Sequence, residues 1–143
     1  MKDNANAILI SIKPKYARKI LDGTKKYEFR KGIFKRIRKW DSIAYIYESS
    51  PTKRIVGKFV IARVFRTTTK TLWEKFHEHA GITEDEFFEY YKGKKCGHAI
   101  MIKDVIKFTE PIDPRQFISN FHAPQSFSYL DQDAVSLIEG AIA

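Results

Sequence analysis

The sequence predicts an α+β fold: a mixed or antiparallel β-sheet of five to six strands, curled into a barrel, with inserted and flanking helices. Short β-branched and aromatic runs recur along the chain, bounded by Gly, Pro and Ser. Helical stretches fall between some of these runs without the regular alternation that parallel βαβ units show. The composition is that of one ordinary domain, residues 1–143. It is 43% hydrophobic, with eleven Phe and seven Tyr, enough apolar surface to build a core and exclude global disorder.

Ala7 to Ile12 is an apolar, β-branched run that reads as a buried strand. Pro14 suits the first turn of a helix, where its missing N–H leaves no bond unmade. Tyr16, Ala17, Ile20 and Leu21 form a narrow apolar stripe, and Asp22-Gly23 stops the helix. From Thr24 to Arg30 the pattern alternates, with Tyr27 and Phe29 on one face and Lys26, Glu28 and Arg30 on the other. Lys31 to Trp40 is a basic loop, Ser42 to Glu48 a strand, and Arg54 to Thr67 a long strand in which Gly57 marks a bulge or close backbone approach. A helical section from Thr69 to Lys92 is interrupted at Gly81 and restarts at Thr83, with Glu86 three residues on. Gly97 to Phe108 returns to strand. Pro111 to Leu130 reads as loop with one turn of helix, and Asp131 to Ala143 as a short amphipathic helix.

The net charge is +9, unevenly spread. Between Lys13 and Lys39 stand twelve basic residues against Asp22 and Glu28, whereas Glu74 to Glu89 and Glu110 to Ala143 are acidic. Such a chain presents one face that attracts phosphates, and the partner it points to is RNA or another single-stranded nucleic acid. A solvated basic face without a ligand is the plainer alternative. No apolar run approaches a membrane span, and Met1 to Ala7 carries no signal-peptide core, so a cytoplasmic protein without membrane contact is expected. Cys96 is the only cysteine, which excludes an intrachain disulfide and a cysteine-based zinc cluster. His77-Glu78-His79 has the wrong spacing to converge from a helix, so no metal and no cofactor is expected.

The most specific feature is Lys13-Pro14, a helix ending in Asp22-Gly23, then Lys25, Glu28 and Arg30, or G-x-K-x-x-E-x-R at a helix–strand junction. Together with Tyr45-Ile46-Tyr47-Glu48-Ser49-Ser50, Ile55-Val56-Gly57, Gly97-His98-Ala99-Ile100 before Pro111, and Pro124-Gln125-Ser126-Phe127, it resembles the ASCH (activating signal cointegrator homology) domain of the PUA-like superfamily. The resemblance covers roughly Ile8 to Ile112. It implies a nucleic-acid-handling domain, with a modified nucleotide as an alternative ligand. Some small members are amidohydrolases on acetylated cytidine, and others are ribonucleases.

Physically, the motif reads as a cleft. Lys25 offers a mobile charge for phosphate, Arg30 a planar fork, and Glu28 a carboxylate able to orient that fork. Strict alternation would send Lys25 to the opposite face, so a shared cleft requires the strand to begin after it or to bulge there. An ion pair between Glu28 and Arg30 serving the fold alone is the competing interpretation. In an enzyme, Lys25 and Glu28 would be the catalytic candidates. The amidohydrolase resemblance departs at two of three positions, with Glu28 in place of a threonine and Ala80-Gly81 in place of a glutamate.

The sequence therefore leads to a PUA-like RNA-binding domain. Its basic cleft would centre on Lys13, Lys25, Glu28, Arg30 and Lys31, with Ser49, Ser50, Gln125 and Ser126 on the rim and Tyr47 or Phe127 as a stacking platform. The alternative is a hydrolase in the same cleft, acting on a modified nucleoside such as N4-acetylcytidine, or a ribonuclease. A module whose basic face meets an acidic protein is a third reading. Nothing in the pattern fixes the oligomeric state.

Overall fold

The computed structural model describes residues 7–142, which open on an apolar run that forms a buried strand. The polar start, residues 1–6, and Ala143 lie outside the described residues. β1 (Ala7–Ile12) lies between two other strands and is buried along almost its whole length. The other strands are β2 (Tyr27–Arg30), β3 (Ile43–Glu48), β4 (Arg54–Thr68), β5 (Cys96–Ile112) and β6 (Phe127–Leu130). They form one six-stranded sheet in the order β2-β5-β4-β3-β1-β6. β1 runs parallel to β3, and the other pairings are antiparallel, so the sheet is mixed.

The closed barrel expected from the sequence does not form. Among the described residues no backbone ladder joins β2 to β6, and the sheet is open with these two strands as its edges. Each is only four residues long, and the Arg30 side chain of β2 reaches Ser126, just before β6, and Ser11 of β1. β6 also corrects the reading of Pro111 to Leu130 as loop and helical turn. The turn is present at Pro114–Gln116, but Phe127 to Leu130 pair with β1 as a strand.

Apolar side chains cover both faces of the sheet. Ile8, Ile10 and Ile12 pack with Ile46, Phe59, Ile61 and Ile100 under α1 (Pro14–Leu21), which contributes Ala17 and Ile20. The opposite face, with Leu9, Tyr45, Tyr47 and Ile55, is covered by α4 (Gln132–Ile142) through Ile138. Each aliphatic side chain buried in this way contributes about 1.5–3 kcal/mol relative to exposure. Phe29 and Ala99 pack in a third cluster with Leu72 of α2 (Thr69–Phe76) and Phe87 of α3 (Glu84–Tyr90). The predicted restart at Thr83 is a complete capping box: the Thr83 side chain accepts from the Glu86 N–H, and the Glu86 side chain accepts from the Thr83 N–H. At Gly57 the register of β4 on β5 shifts, and a Cβ there would lie 2.6 Å from the Ile106 carbonyl oxygen. Among the described residues no helix is long and apolar enough to cross a membrane.

Candidate functional site

Lys25 reaches the same cleft as Glu28 and Arg30 because strand pairing starts late. Its N–H donates to the Lys19 carbonyl at the end of α1, and the Lys26 N–H donates to His79 at 2.8 Å. β2 begins only at Tyr27, so Lys25 escapes the alternation that would turn it away. The ammonium is almost fully buried, at 2% exposure, and donates to the Ala80 carbonyl at 2.5 Å. It lies 3.7 Å from Glu28 Oε1 and 5.1 and 5.4 Å from the ring centroids of Phe29 and Tyr16. Burial lowers its pKa from the usual lysine range. The Glu28 charge opposes that shift, and the Arg30 charge adds to it.

Gly81 makes this burial possible. Its φ of +65° belongs to the left-handed region, and a Cβ there would sit 2.6 Å from Lys25 Cβ and Cγ. The segment that the amidohydrolase resemblance aligns with a glutamate, Ala80-Gly81, thus lies directly on Lys25, but it presents a carbonyl rather than a carboxylate. Thr24 turns away, its hydroxyl donating to Asp22 at 2.7 Å.

The Arg30 guanidinium is directed at protein acceptors. Nε and Nη2 both donate to Glu28 Oε2, at 2.9 and 2.6 Å. Nη2 also donates to the Ser11 carbonyl at 2.8 Å, and Nη1 to Ser126 Oγ at 3.2 Å. Ser11 in turn donates its N–H to the Ser126 carbonyl at 2.9 Å. One fork therefore ties β2, β1 and the segment before β6 together.

Around this floor opens a cleft of about 930 Å³. Lys13 and Tyr16 of the α1 end form one wall, and Asp85, Glu86, Glu89 and Tyr90 of α3 form another. Ser49, Ser50 and Lys53 after β3, with Gln125 and Ser126 before β6, complete the rim. The lining carries Lys13, Lys25, Arg30 and Lys53 against Glu28, Asp85, Glu86 and Glu89, so the cleft holds both signs equally rather than being basic. Across its mouth Lys15 is paired with Glu86, and that hydrogen bond holds the carboxyl down at about 2.

The structure gathers Lys13, Lys25, Glu28, Arg30, Tyr47, Ser49, Ser50, Gln125 and Ser126 at this cleft. Lys31 stands outside the lining, exposed, with its ammonium 4.7 Å from the Tyr90 ring centroid. Tyr47 reaches the cleft wall, but its ring is 5% exposed and packs 5.5 Å from Phe121. Phe127 packs edge-on against Phe34 and Tyr129. Neither ring is an open platform. Lys53 and the acidic face of α3 are cleft residues that the sequence reading missed, and only the docking of the 69–92 segment turns that acidic face inward. His77, Glu78 and His79 are exposed, and among the described residues no group of three or more His, Cys, Asp or Glu side chains is placed to hold a metal ion.

Comparison with known proteins agrees with this architecture. The chain is 26% identical over 131 residues to an ASCH domain-containing ribonuclease of Zymomonas mobilis, covering 87% of this chain and 84% of that one. It is 28% identical over 131 residues to large ribosomal subunit protein uL22 of Ureaplasma parvum serovar 3, but spans only 40% of that relative's length. The crystal structure of an ASCH protein from Zymomonas mobilis superposes with a TM-score of 0.91 at 23% identity, covering 98% of each chain. Residues 5–121 match the family described as a domain of unknown function (DUF365). The chain belongs to that family, and its fold is that of the ASCH domain.

Proposed function

We propose that this protein is a ribonuclease that cleaves the phosphodiester backbone by transesterification in the cleft floored by Lys25, Glu28 and Arg30. The observation that carries the proposal is the buried Lys25 ammonium, at 2% exposure and 3.7 Å from a carboxylate, inside an open cleft. Burial makes this lysine give up its proton more readily than a solvated one. The likeness to an ASCH domain-containing ribonuclease supports this reading over simple RNA binding.

In the proposed reaction the neutral Lys25 amine takes the proton of a ribose 2′-hydroxyl, whose oxygen attacks the adjacent phosphorus. The bond to the 5′-oxygen breaks, leaving a 2′,3′-cyclic phosphate, and the departing oxygen takes a proton from the Lys13 or Lys53 ammonium. Those two lysines have no carboxylate partner among the described residues and also attract the phosphate. Ser49, Ser50 and Gln125 supply polar contacts to sugar and base. Arg30 holds the floor in shape.

The amidohydrolase reading has weaker support, since a backbone carbonyl stands where its glutamate would be. Incubating the protein in parallel with single-stranded RNA and with N4-acetylcytidine separates the two. The expected result is RNA fragments ending in cyclic phosphate, reduced about 10²–10⁴-fold by Lys25→Met. Deacetylation without RNA cleavage would refute the proposal.

A further inference from the structure

A cleft with equal numbers of both charges exerts little long-range pull on a polyanion, yet the chain carries a net +9. The excess is displayed beside the cleft. In the loop between β2 and β3, Lys31, Lys35, Arg36, Arg38 and Lys39 are all exposed. None is in an ion pair among the described residues. Trp40 closes the loop at 55% exposure.

This loop is held in place. Phe34 and Ile37 anchor it in the core, at 1% and 8% exposure. The Lys35 and Arg36 N–H groups both donate to the Tyr129 hydroxyl, at 2.8 and 3.2 Å, and the Arg36 guanidinium lies 4.1 Å from the Tyr129 ring centroid. The backbone that carries the row of cations is therefore fixed before any ligand arrives. It is also continuous with the cleft, since the Lys31 N–H donates to the hydroxyl of Tyr90, a cleft-wall residue, at 3.2 Å.

We infer that the loop from Lys31 to Trp40 is a second RNA-binding surface, a track for the sugar–phosphate backbone as it leaves the cleft, with Trp40 stacking on a base. This inference rests on the RNA reading of the cleft for the identity of the polyanion. The cations supply affinity that the cleft lacks, and the exposed indole offers a sequence-tolerant π-face.

The test measures binding of a labelled single-stranded 2′-O-methyl RNA across a salt series. This probe lacks the attacking hydroxyl, so the result stands whether or not the cleft cleaves RNA. The triple variant Lys35→Glu, Arg38→Glu, Lys39→Glu should lower the slope of log K against log salt by about 2, from roughly 0.7 per lost phosphate contact. Trp40→Ala should weaken binding about tenfold. The triple variant Lys92→Glu, Lys94→Glu, Lys95→Glu makes the same charge change on another exposed turn and should leave the slope nearly intact. Equal loss in both triples would overturn the track in favour of diffuse attraction. An unchanged slope in the loop variant would overturn it too, leaving an acidic protein as the partner for this face.

Discussion

Arg30 of β2 donates to the main-chain carbonyl of Ser11 in β1 at 2.8 Å and to Ser126 Oγ, just before β6, at 3.2 Å, so one side chain links the two ends of the open sheet. The same guanidinium holds Glu28 through two hydrogen bonds. The link between the two ends of the sheet and the geometry of the cleft therefore depend on one residue.

Arg30→Ala should destabilise the fold by about 3–5 kcal/mol, because it leaves Glu28 buried with Lys25 alone and frees the Ser11 carbonyl. Arg30→Lys should recover little, since an ammonium cannot reproduce the fork that reaches Glu28, Ser11 and Ser126 at once. Urea titration of the three proteins measures both differences. Full recovery by lysine would show that charge alone matters there.

Gly81→Ala should cost about 1–3 kcal/mol, from the left-handed φ and from the clash with the Lys25 side chain. Combined with Lys25→Ala, which removes Cγ and Cδ, the loss should fall short of the sum of the two single changes. A double-mutant cycle by thermal melting reads that coupling. Strict additivity would mean that the two residues do not share the space.

Thr83→Ala should lower stability by about 1 kcal/mol through loss of the capping box at α3, with Thr83→Ser retaining most of it. Equal melting temperatures for all three proteins would show that the cap is not formed in solution.

Lys25 has a lowered pKa in the folded state, so between that value and 10.5 the unfolded chain binds the extra proton. Stability must then rise with pH across this window and fall as pH drops through the folded pKa. The stability of wild type relative to Lys25→Met should increase as pH approaches 10.5. A constant difference over that range would mean that the Lys25 ammonium is not disfavoured by burial.

Much of this structure could be read from neighbouring residues. β1 and α1 follow from local periodicity, and the Thr83–Glu86 capping box follows from spacing alone, whereas the alternation read from Thr24 onward starts earlier than β2 does. Gly57 announced its bulge because only a residue without a side chain fits beside Ile106 and Leu21. β6 was not visible, since four residues are too few for an alternation to count. Nor could alternation tell an open sheet from a closed one, because both bury the same faces. The mixed charge of the cleft depends on contacts such as Lys15 with Glu86, 71 positions apart. A run of acids on a helix carries no sign of what it will face.

The cleavage of a DNA oligonucleotide containing one internal ribonucleotide tests the central claim most directly. Attack by a 2′-hydroxyl held against Lys25 predicts a single cut, on the 3′ side of that ribose, leaving a 2′,3′-cyclic phosphate on one fragment. It also predicts near-complete loss of the cut in Lys25→Met. An intact oligonucleotide, or equal cutting at its deoxyribose positions, would contradict the account.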